Sequence, residues 1–384
     1  MKKQDSLRGI IICIVRCLVL ILSKAFFWRK NQRIWLIACG GERWGDNADA
    51  LWLYMNVQHP EIKTVAVMKN NGSTGLLKGE WVKRNSLMNY AMILQAEVLA
   101  TTHALSDIGP EFAVSKAKAC RVWLQHGVIG IKKILATHAV SGQFDLACAS
   151  SVREKNLMTD ELGINPEIIA VTGLARYDVL KEKTEKELGR DGTLYIPTSR
   201  AWIDQTMKKE YETMLFSWLE KLYYSEMDIQ FKIWLHPGWY KKGLNDLDSK
   251  YDNVQLYQLN TDPQQLILES KLLITDYSSV FFDAALSGIP TIFYQPDRVS
   301  YINNKGLFSD YLNEKTLLVV ENENELITQL EEIINNKEYY QYRLVEDQKW
   351  AYKYVETFDG NSCQRIFARI NEMIEQRKNH KKVY

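Results

Sequence analysis

The stretch KLLITDYSSVFFDAALSGIP at residues 271–290 contains the pattern that decides the fold of this chain. Residues 272–274 form an apolar run that is short enough for a buried strand, and residues 275–279 form a polar turn. Apolar residues then recur at helical spacing until Gly288 and Pro290 end the helix. The order strand, polar turn, helix and strand is typical of an open parallel sheet.

The polar turn in this stretch is a candidate anion site. In an open parallel sheet, ligands bind outside the carboxyl ends of the strands, next to the first free N–H groups of the following helix. Hydroxyl and carboxyl groups occupy that position in Thr275, Asp276, Ser278 and Ser279. We therefore predict that these four residues bind a phosphate. Simple capping of the helix by one serine is the alternative.

The rest of the chain alternates strand and helix patterns. Strand patterns occur at residues 34–39, 62–68, 97–102, 121–125, 144–149 and 168–172, and again at 194–197, 230–235, 254–257, 272–275, 291–294 and 317–320. Helical patterns occur at residues 47–56, 87–94, 152–162, 205–224, 263–269 and 323–335, and the tail at 337–377 is mostly helical by pattern. This alternation predicts an α/β fold with parallel sheets that are covered by helices on both faces.

A charged segment, KEKTEKELGRDG at residues 181–192, separates two such halves. We predict four parts of the chain. They are a membrane-anchoring helix at 1–30, a first Rossmann-like domain at 31–185, a second Rossmann-like domain at 186–355, and a C-terminal helix with a basic tail at 356–384.

The N-terminal segment is unusually apolar. Residues 9–22, GIIICIVRCLVLIL, contain one charge, Arg16, and basic residues flank them. The run is shorter than the roughly 20 residues that span a bilayer. Its polar residues fall on one side of a helix, which predicts an amphipathic helix lying in an anionic membrane surface, at the cytoplasmic face. A tilted span and a signal peptide are the alternatives; Arg16 disfavours the first and a poor cleavage site the second.

Composition narrows the classes of partner. The chain has 384 residues and a formal net charge of +1, so it carries no whole-chain signal for binding nucleic acid. Its six cysteines form no C-x-x-C pair and no zinc spacing with histidine, which is typical of reduced thiols. No D-x-D or similar metal pair sits in the right place, so we predict no metal, and Mg²⁺ that accompanies a pyrophosphate is the alternative.

Six short motifs occur in order along the chain. They are Gly40-Gly41 with Asp46-Asn47, WLQHG at 123–127, Gly173 with Arg176 and Asp178, IPTSR at 196–200, LHP at 235–237, and TDYSS at 275–279. Together they resemble the motifs of the CDP-glycerol glycerophosphotransferase family, which acts in teichoic acid and capsule assembly. The resemblance covers roughly residues 33–312 and implies the GT-B architecture, in which two Rossmann-like domains face a cleft.

The resemblance implies roles for two histidines and two arginines. His126 is implied as the base that accepts the acceptor proton, and His236 as a stabiliser of the phosphate or leaving group. Both follow predicted strands and histidine titrates near neutrality, but the sequence itself does not order the two roles. Arg176 and Arg200 are implied as phosphate ligands, because guanidinium groups pair well with phosphate oxygens.

The acceptor-side loop is assigned by the same resemblance, to Gly40, Gly41, Asp46, Asn47 and Gly127. Lys132 departs from the family spacing HG-x-x-x-K by one residue. Asp276 and Asp283 are candidates for holding the cytidine ribose. The remaining histidines have no motif support and are interpreted as structural or exposed; they are His59, His103, His138 and His380.

The implied reaction is transfer of a polyol phosphate, with glycerol phosphate as the first choice, from CDP-glycerol to a hydroxyl of a lipid-linked saccharide or polymer. CMP leaves. The length resembles the short, primase-like members of the family. The alternatives are a CDP-ribitol transferase, a GT-B glycosyltransferase or epimerase that uses a nucleotide sugar, and a non-catalytic scaffold of a wall or capsule complex that binds no nucleotide.

Deleting residues 1–30 tests the predicted membrane anchor. The intact protein should sediment with anionic vesicles, and high salt should weaken this binding without abolishing it, because salt screens only the charge contribution. The truncated protein should stay in the supernatant. Equal sedimentation of the two proteins would contradict the prediction.

Overall fold

A computed structural model describes residues 32–40, 44–69, 79–133, 142–186, 189–200, 202–203, 207–224, 229–236, 251–258 and 261–382 of the chain. The predicted membrane helix at 1–30 and the predicted site residue Gly41 lie outside these described residues. Within the described ranges, no helix is both long enough and apolar enough to cross a bilayer.

The first domain is built on a sheet of seven parallel strands in the order β3-β2-β1-β4-β5-β6-β7. Its interior strand β1, IWLIA, is buried at every position, as expected for a strand with helices on both faces. The strands are β1 (Ile34–Ala38), β2 (Lys63–Met68), β3 (Trp81–Lys83), β4 (Val98–Thr101), β5 (Cys120–Trp123), β6 (Leu146–Ala149) and β7 (Ile169–Val171).

The second domain has six parallel strands in the order β10-β9-β8-β11-β12-β13. The stretch at residues 271–290 supplies β11, which pairs with β8 on one side and β12 on the other. The strands are β8 (Thr193–Ile196), β9 (Phe231–Trp234), β10 (Val254–Tyr257), β11 (Leu272–Thr275), β12 (Thr291–Tyr294) and β13 (Val319–Val320). The predicted architecture of two parallel α/β sheets is confirmed.

Helices cover both sheets and follow the predicted alternation. They are α1 (Asp46–Gln58), α2 (Leu87–Gln95), α3 (Glu111–Val114), α4 (Val152–Asp160), α5 (Arg176–Thr184), α6 (Lys208–Tyr223), α7 (Pro263–Leu268), α8 (Val280–Leu286), α9 (Arg298–Lys305), α10 (Ser309–Asn313), α11 (Glu323–Asn335), α12 (Lys337–Ala351) and α13 (Ser362–Lys382). The sequence predicted neither the three-residue strand β3 nor α5, whose mostly charged residues carry little helical periodicity. The domain boundaries proposed above stay predictions.

Each sheet has one point where the order of the strands reverses, and these points locate the site. The reversal lies between β1 and β4 in the first domain and between β8 and β11 in the second. Loops that leave neighbouring strands in opposite directions open a crevice at the carboxyl edge of the sheet. Residues 102–104 and 276–279 therefore lie at such crevices.

The end of the chain returns to the first domain. The predicted helical tail is two helices, α12 and α13, separated by residues 352–361, where Gly360 has a φ of 76°. Helix α13 buries Cys363, Ile366 and Ile370 in the same core cluster as Trp35 of β1. The chain therefore crosses between the domains twice.

A short antiparallel bridge also joins the domains beside the cleft. Lys132 pairs with Leu307, and the Phe308 N–H donates to the carbonyl of Ile131 at 3.0 Å. This bridge fixes the loop that follows β5 to the second domain.

Candidate active site

The site lies in a cleft of about 390 Å³ between the two domains. The first domain contributes Asp46, His126 and Arg176 to its lining, and the second domain contributes Val280 and Asp283. The strand-end loops of both sheets therefore reach one cavity, as the GT-B resemblance implied.

His126 sits in the turn after β5 with its side chain 66% exposed. Its Nδ1 lies 2.5 Å from Oδ2 of Asp46. An ionised carboxylate only accepts hydrogen bonds, so Nδ1 carries the proton and the Nε2 of a neutral ring keeps its lone pair. This tautomer suits a base that accepts a proton at Nε2.

Asp46 is the first residue of α1 and has a φ of 64°, an uncommon conformation for a residue other than glycine. Burial alone would raise the pKa of this carboxyl, but the charges of His126 and Arg176 hold its pKa well below the ordinary value. Asp46 is therefore an anion at neutral pH and can stabilise a positive charge on His126.

Asn47 connects three segments of the site through its side-chain amide. Its buried amide donates to the carbonyls of Leu124 and Gln125 at 3.3 and 2.9 Å, and its Oδ1 accepts from the Arg176 N–H at 2.9 Å. These bonds connect the starts of α1 and α5 with the turn that carries His126. Acceptor contact by Asn47 stays a prediction, and its amide is already engaged in the described structure.

Arg176 bridges the two domains. Its Nη1 donates to Asp46 at 3.1 Å and to the carbonyl of His126 at 2.9 Å, and its Nη2 donates to Asp283 at 2.6 Å. Burial would lower the pKa of Arg176, but the carboxylates of Asp283 and Asp46 raise it above the ordinary value. The predicted phosphate contact is not tested, and in this conformation the guanidinium serves two carboxylates.

Asp283 is a buried residue that lines the cleft, and its contact with the cytidine ribose stays a prediction. It accepts from Arg176 and, at 3.1 Å, from the side-chain amide of Gln264. Burial raises the pKa of Asp283, and Arg176 opposes that shift.

Arg200 is fully buried beneath the donor-side turn. It donates to both oxygens of Asp297 at 3.0 and 2.9 Å and also pairs with Asp276, and the rings of Tyr277 and Tyr301 lie 5.2 Å from its guanidinium carbon. Direct phosphate contact by Arg200 stays a prediction. The structure favours a positioning role, because contact would require this buried ion pair to open.

Two other predicted phosphate ligands are also buried. The Thr275 hydroxyl donates to the carbonyl of Ile196 at 2.7 Å, and Asp276 accepts from the Thr198 N–H at 2.9 Å as well as from Arg200. These bonds fix the loop after β8 to the loop after β11. Both residues therefore stabilise the donor-side turn from its buried side.

Ser278 and Ser279 are the half-buried members of the predicted phosphate corner. Ser278 Oγ accepts weakly from the Val280 N–H at 3.4 Å, and Ser279 makes no side-chain capping bond to α8. A Cβ on Gly127 would lie 2.5 Å from Ser279 Oγ. The turn that carries His126 therefore meets the donor-side turn directly, and a side chain at Gly127 would displace the Ser279 hydroxyl.

His236 follows β9 and is exposed. It comes from the second domain, as the sequence indicated, and its phosphate role stays a prediction. Gly40 follows β1 and donates its N–H to the Thr102 hydroxyl at 3.1 Å.

Two residues that sequence reasoning left aside are near the site. His103 was interpreted as structural or exposed; it is exposed in the structure, and its ring centroid also lies 4.5 Å from that of His126. Lys132 is half-buried near Asp276 and Arg200; desolvation lowers its pKa while Asp276 opposes the shift. Among the described residues no carboxylate lies within ion-pair distance of Lys132. Its position in the loop five residues after Gly127 was the available signal.

Glu154 supports the loop that follows His126. This buried residue of α4 accepts from the Ile129 N–H at 2.6 Å, and from the N–H and hydroxyl of Ser150 at 2.5 and 2.6 Å. Burial nevertheless raises the pKa of Glu154 to about 7. Across the described part of the chain, no group of three or more His, Cys, Asp or Glu side chains is arranged to hold a metal ion.

Comparison with known proteins supplies an independent line of evidence. A model of the family described as CDP-Glycerol:Poly(glycerophosphate) glycerophosphotransferase matches residues 20–372. The minor teichoic acid biosynthesis protein GgaB of Bacillus subtilis is 25% identical over 90% of this chain and 40% of its own length. A teichoic acid glycerol-phosphate transferase of Staphylococcus aureus is 26% identical over 59% of this chain and 60% of its own length. The chain thus spans less than two thirds of these relatives.

A solved structure of the wall teichoic acid polymerase TagF has the same fold. It superimposes with a TM-score of 0.72 at 18% sequence identity, and the match covers 98% of each chain.

Replacing Glu154 with Gln tests the protonation of the buried carboxyl. Between its ordinary pKa of 4.5 and about 7, the folded state holds a proton that the unfolded state has released, so stability falls as pH rises through this range. Glutamine does not titrate. The free energy of unfolding of Glu154→Gln should therefore rise by roughly 1–3 kcal/mol relative to that of the wild type as the pH goes from 5 to 8. Urea unfolding at several pH values measures this. The exposed Glu338→Gln serves as control, and a pH-independent difference for Glu154→Gln would contradict the prediction.

Proposed function

The chain belongs to the CDP-glycerol:poly(glycerophosphate) glycerophosphotransferase family, and from this premise we propose that it transfers glycerol phosphate from CDP-glycerol to an acceptor hydroxyl. The acceptor is a lipid-linked saccharide or polymer of a teichoic acid or capsule, and CMP is released. CDP-ribitol is the alternative donor.

One observation supports this proposal most strongly. The His126–Gly127 turn of the first domain lies against Ser279 of the second, so a base and a donor corner meet across the cleft. Arg176 holds that arrangement by bonding to the carbonyl of His126 on one side and to Asp283 on the other. Phosphoryl transfer depends mainly on such positioning of the two reactants.

His126 acts as the base in the proposed reaction. Its Nε2 removes the proton from the acceptor hydroxyl while that oxygen attacks the phosphorus that bears glycerol. The new P–O bond forms as the bond to the CMP oxygen breaks. Asp46, which bonds to Nδ1, stabilises the resulting imidazolium.

The donor phosphates need positive charge and hydrogen-bond donors. We assign the hydroxyls of Ser278 and Ser279 to the pyrophosphate, together with Lys132 as a cation whose ammonium is not paired with a carboxylate of the described residues. His236 is assigned to the leaving CMP. Arg200 and Asp276 shape this corner from below through their buried ion pair.

Incubation with CDP-glycerol and a lipid-linked disaccharide acceptor should release CMP and extend the acceptor by one phosphodiester. CDP-ribitol, a UDP-sugar and EDTA form parallel arms, which report donor choice, nucleotide-sugar activity and metal requirement. Nucleotide binding is followed by thermal shift, because a ligand that binds only the folded state stabilises it. Turnover of the UDP-sugar alone, or the absence of any nucleotide binding, would refute the proposal.

Substitutions on the two sides of the cleft should affect proton transfer and donor binding separately. His126→Ala should lower turnover by roughly 10²–10⁴-fold with donor affinity preserved, because only a proton acceptor is lost. His236→Ala and Ser279→Ala should weaken CDP-glycerol binding, Ser279→Ala by about tenfold for one bond to a charged group. Single-turnover rates and donor titrations separate these effects. Full activity of His126→Ala would end the assigned mechanism.

A further inference from the structure

His103 lies beside His126 at the reversal point of the first sheet. It follows β4, and the two imidazole rings are 4.5 Å apart between centroids with an interplanar angle of 39°. Its Nδ1 lies 2.8 Å from the Thr102 hydroxyl. The His103 ring therefore contacts Thr102 through Nδ1 and packs against His126, the implied base.

Gly40 leaves space for the His103 ring because it has no Cβ. A Cβ on Gly40 would lie 2.4 Å from the His103 ring atoms, so any larger residue would displace the imidazole. The Thr102 hydroxyl that contacts His103 also accepts from the Gly40 N–H at 3.1 Å. The glycine of the N-terminal motif therefore has a physical reason: it makes room for His103.

The charges around the pair favour a neutral His103. Partial desolvation of the ring and the neighbouring His126 lower the pKa of His103 to about 4, against the opposing carboxylates of Asp46 and Asp107. His126 itself faces Asp46 and His103, and its carbonyl accepts from Arg176. A neutral neighbour adds no repulsion when His126 becomes an imidazolium.

We propose that His103 is a positioning residue for the reaction: its ring packs against His126 and, with Asp46, holds that ring so that Nε2 faces the cleft. This inference rests on the proposed role of His126 as base. His103 takes no proton itself; the acceptor proton moves to His126 Nε2 as the bond to CMP breaks.

Two substitutions separate the ring from its hydrogen bond. His103→Phe keeps an aromatic ring beside His126, whereas His103→Asn keeps a polar group near Thr102 and loses the ring. His103→Asn should lower kcat by about tenfold, because a misplaced base loses a large part of its effect. His103→Phe should restore most of kcat. The KM for CDP-glycerol should change by less than about twofold in both, because donor binding is untouched.

Gly40→Ala provides an independent arm through a double-mutant cycle. The added methyl should displace the His103 ring and lower kcat, and this loss should shrink in the His103→Asn background, since contacting residues are not additive. His59→Ala is the matched control; that histidine stacks on Phe367 at 3.6 Å, away from the cleft, and its loss should leave kcat unchanged.

The outcomes distinguish this inference from the proposed function. Wild-type kcat in His103→Asn, equal losses in the Phe and Asn variants, or an additive Gly40→Ala effect would each overturn the role of His103. If His126→Ala is inactive in the same assay, the proposed mechanism survives that result. If His126→Ala is fully active, the mechanism fails and this inference fails with it.

Discussion

The contact on which the site depends is made by the mostly buried guanidinium of Arg176, which lies between carboxylates of two different domains. Asp46 and the carbonyl of His126 accept from one side, and Asp283 accepts from the other. Removing either acidic partner would leave a cation in a poorly hydrated place, which is costly. The pairing therefore fixes the base, its carboxylate and the wall of the donor corner in one arrangement.

Arg200 plays the equivalent part within the second domain. Two carboxylates and two tyrosine rings enclose it, and through Asp276 it is linked to the backbone of Thr198. A buried ion pair is weak evidence for stability, because desolvation offsets much of the attraction. Its value here is geometric, since it ties together the loops after β8, β11 and β12 at the edge where a ligand would bind.

The sequence was informative about position and much less so about contacts. Apolar runs and helical spacing located most strands, because local periodicity reflects burial on one or two faces. The rule that polar residues after strands gather at one edge of a sheet selected His126 and Ser279, and the structure brings their two turns together. The same rule applied to His103, which follows a predicted strand directly, but its lack of a motif led us to set it aside. The sequence selected Arg176 and Arg200 as site residues but did not predict their carboxylate partners, because the group that a guanidinium meets depends on packing between distant segments.

The return of α13 to the first domain has a consequence for how the protein is made. The surface that receives Ile366 and Ile370 is formed by residues synthesised far earlier, including Trp35. While the chain emerges from the ribosome, that apolar surface stays uncovered by α13 until residues 362–382 have been synthesised. Domains usually fold as contiguous units during synthesis. Here the last helix of the first domain is synthesised after the whole second sheet, so the first domain can be completed only at the end of synthesis.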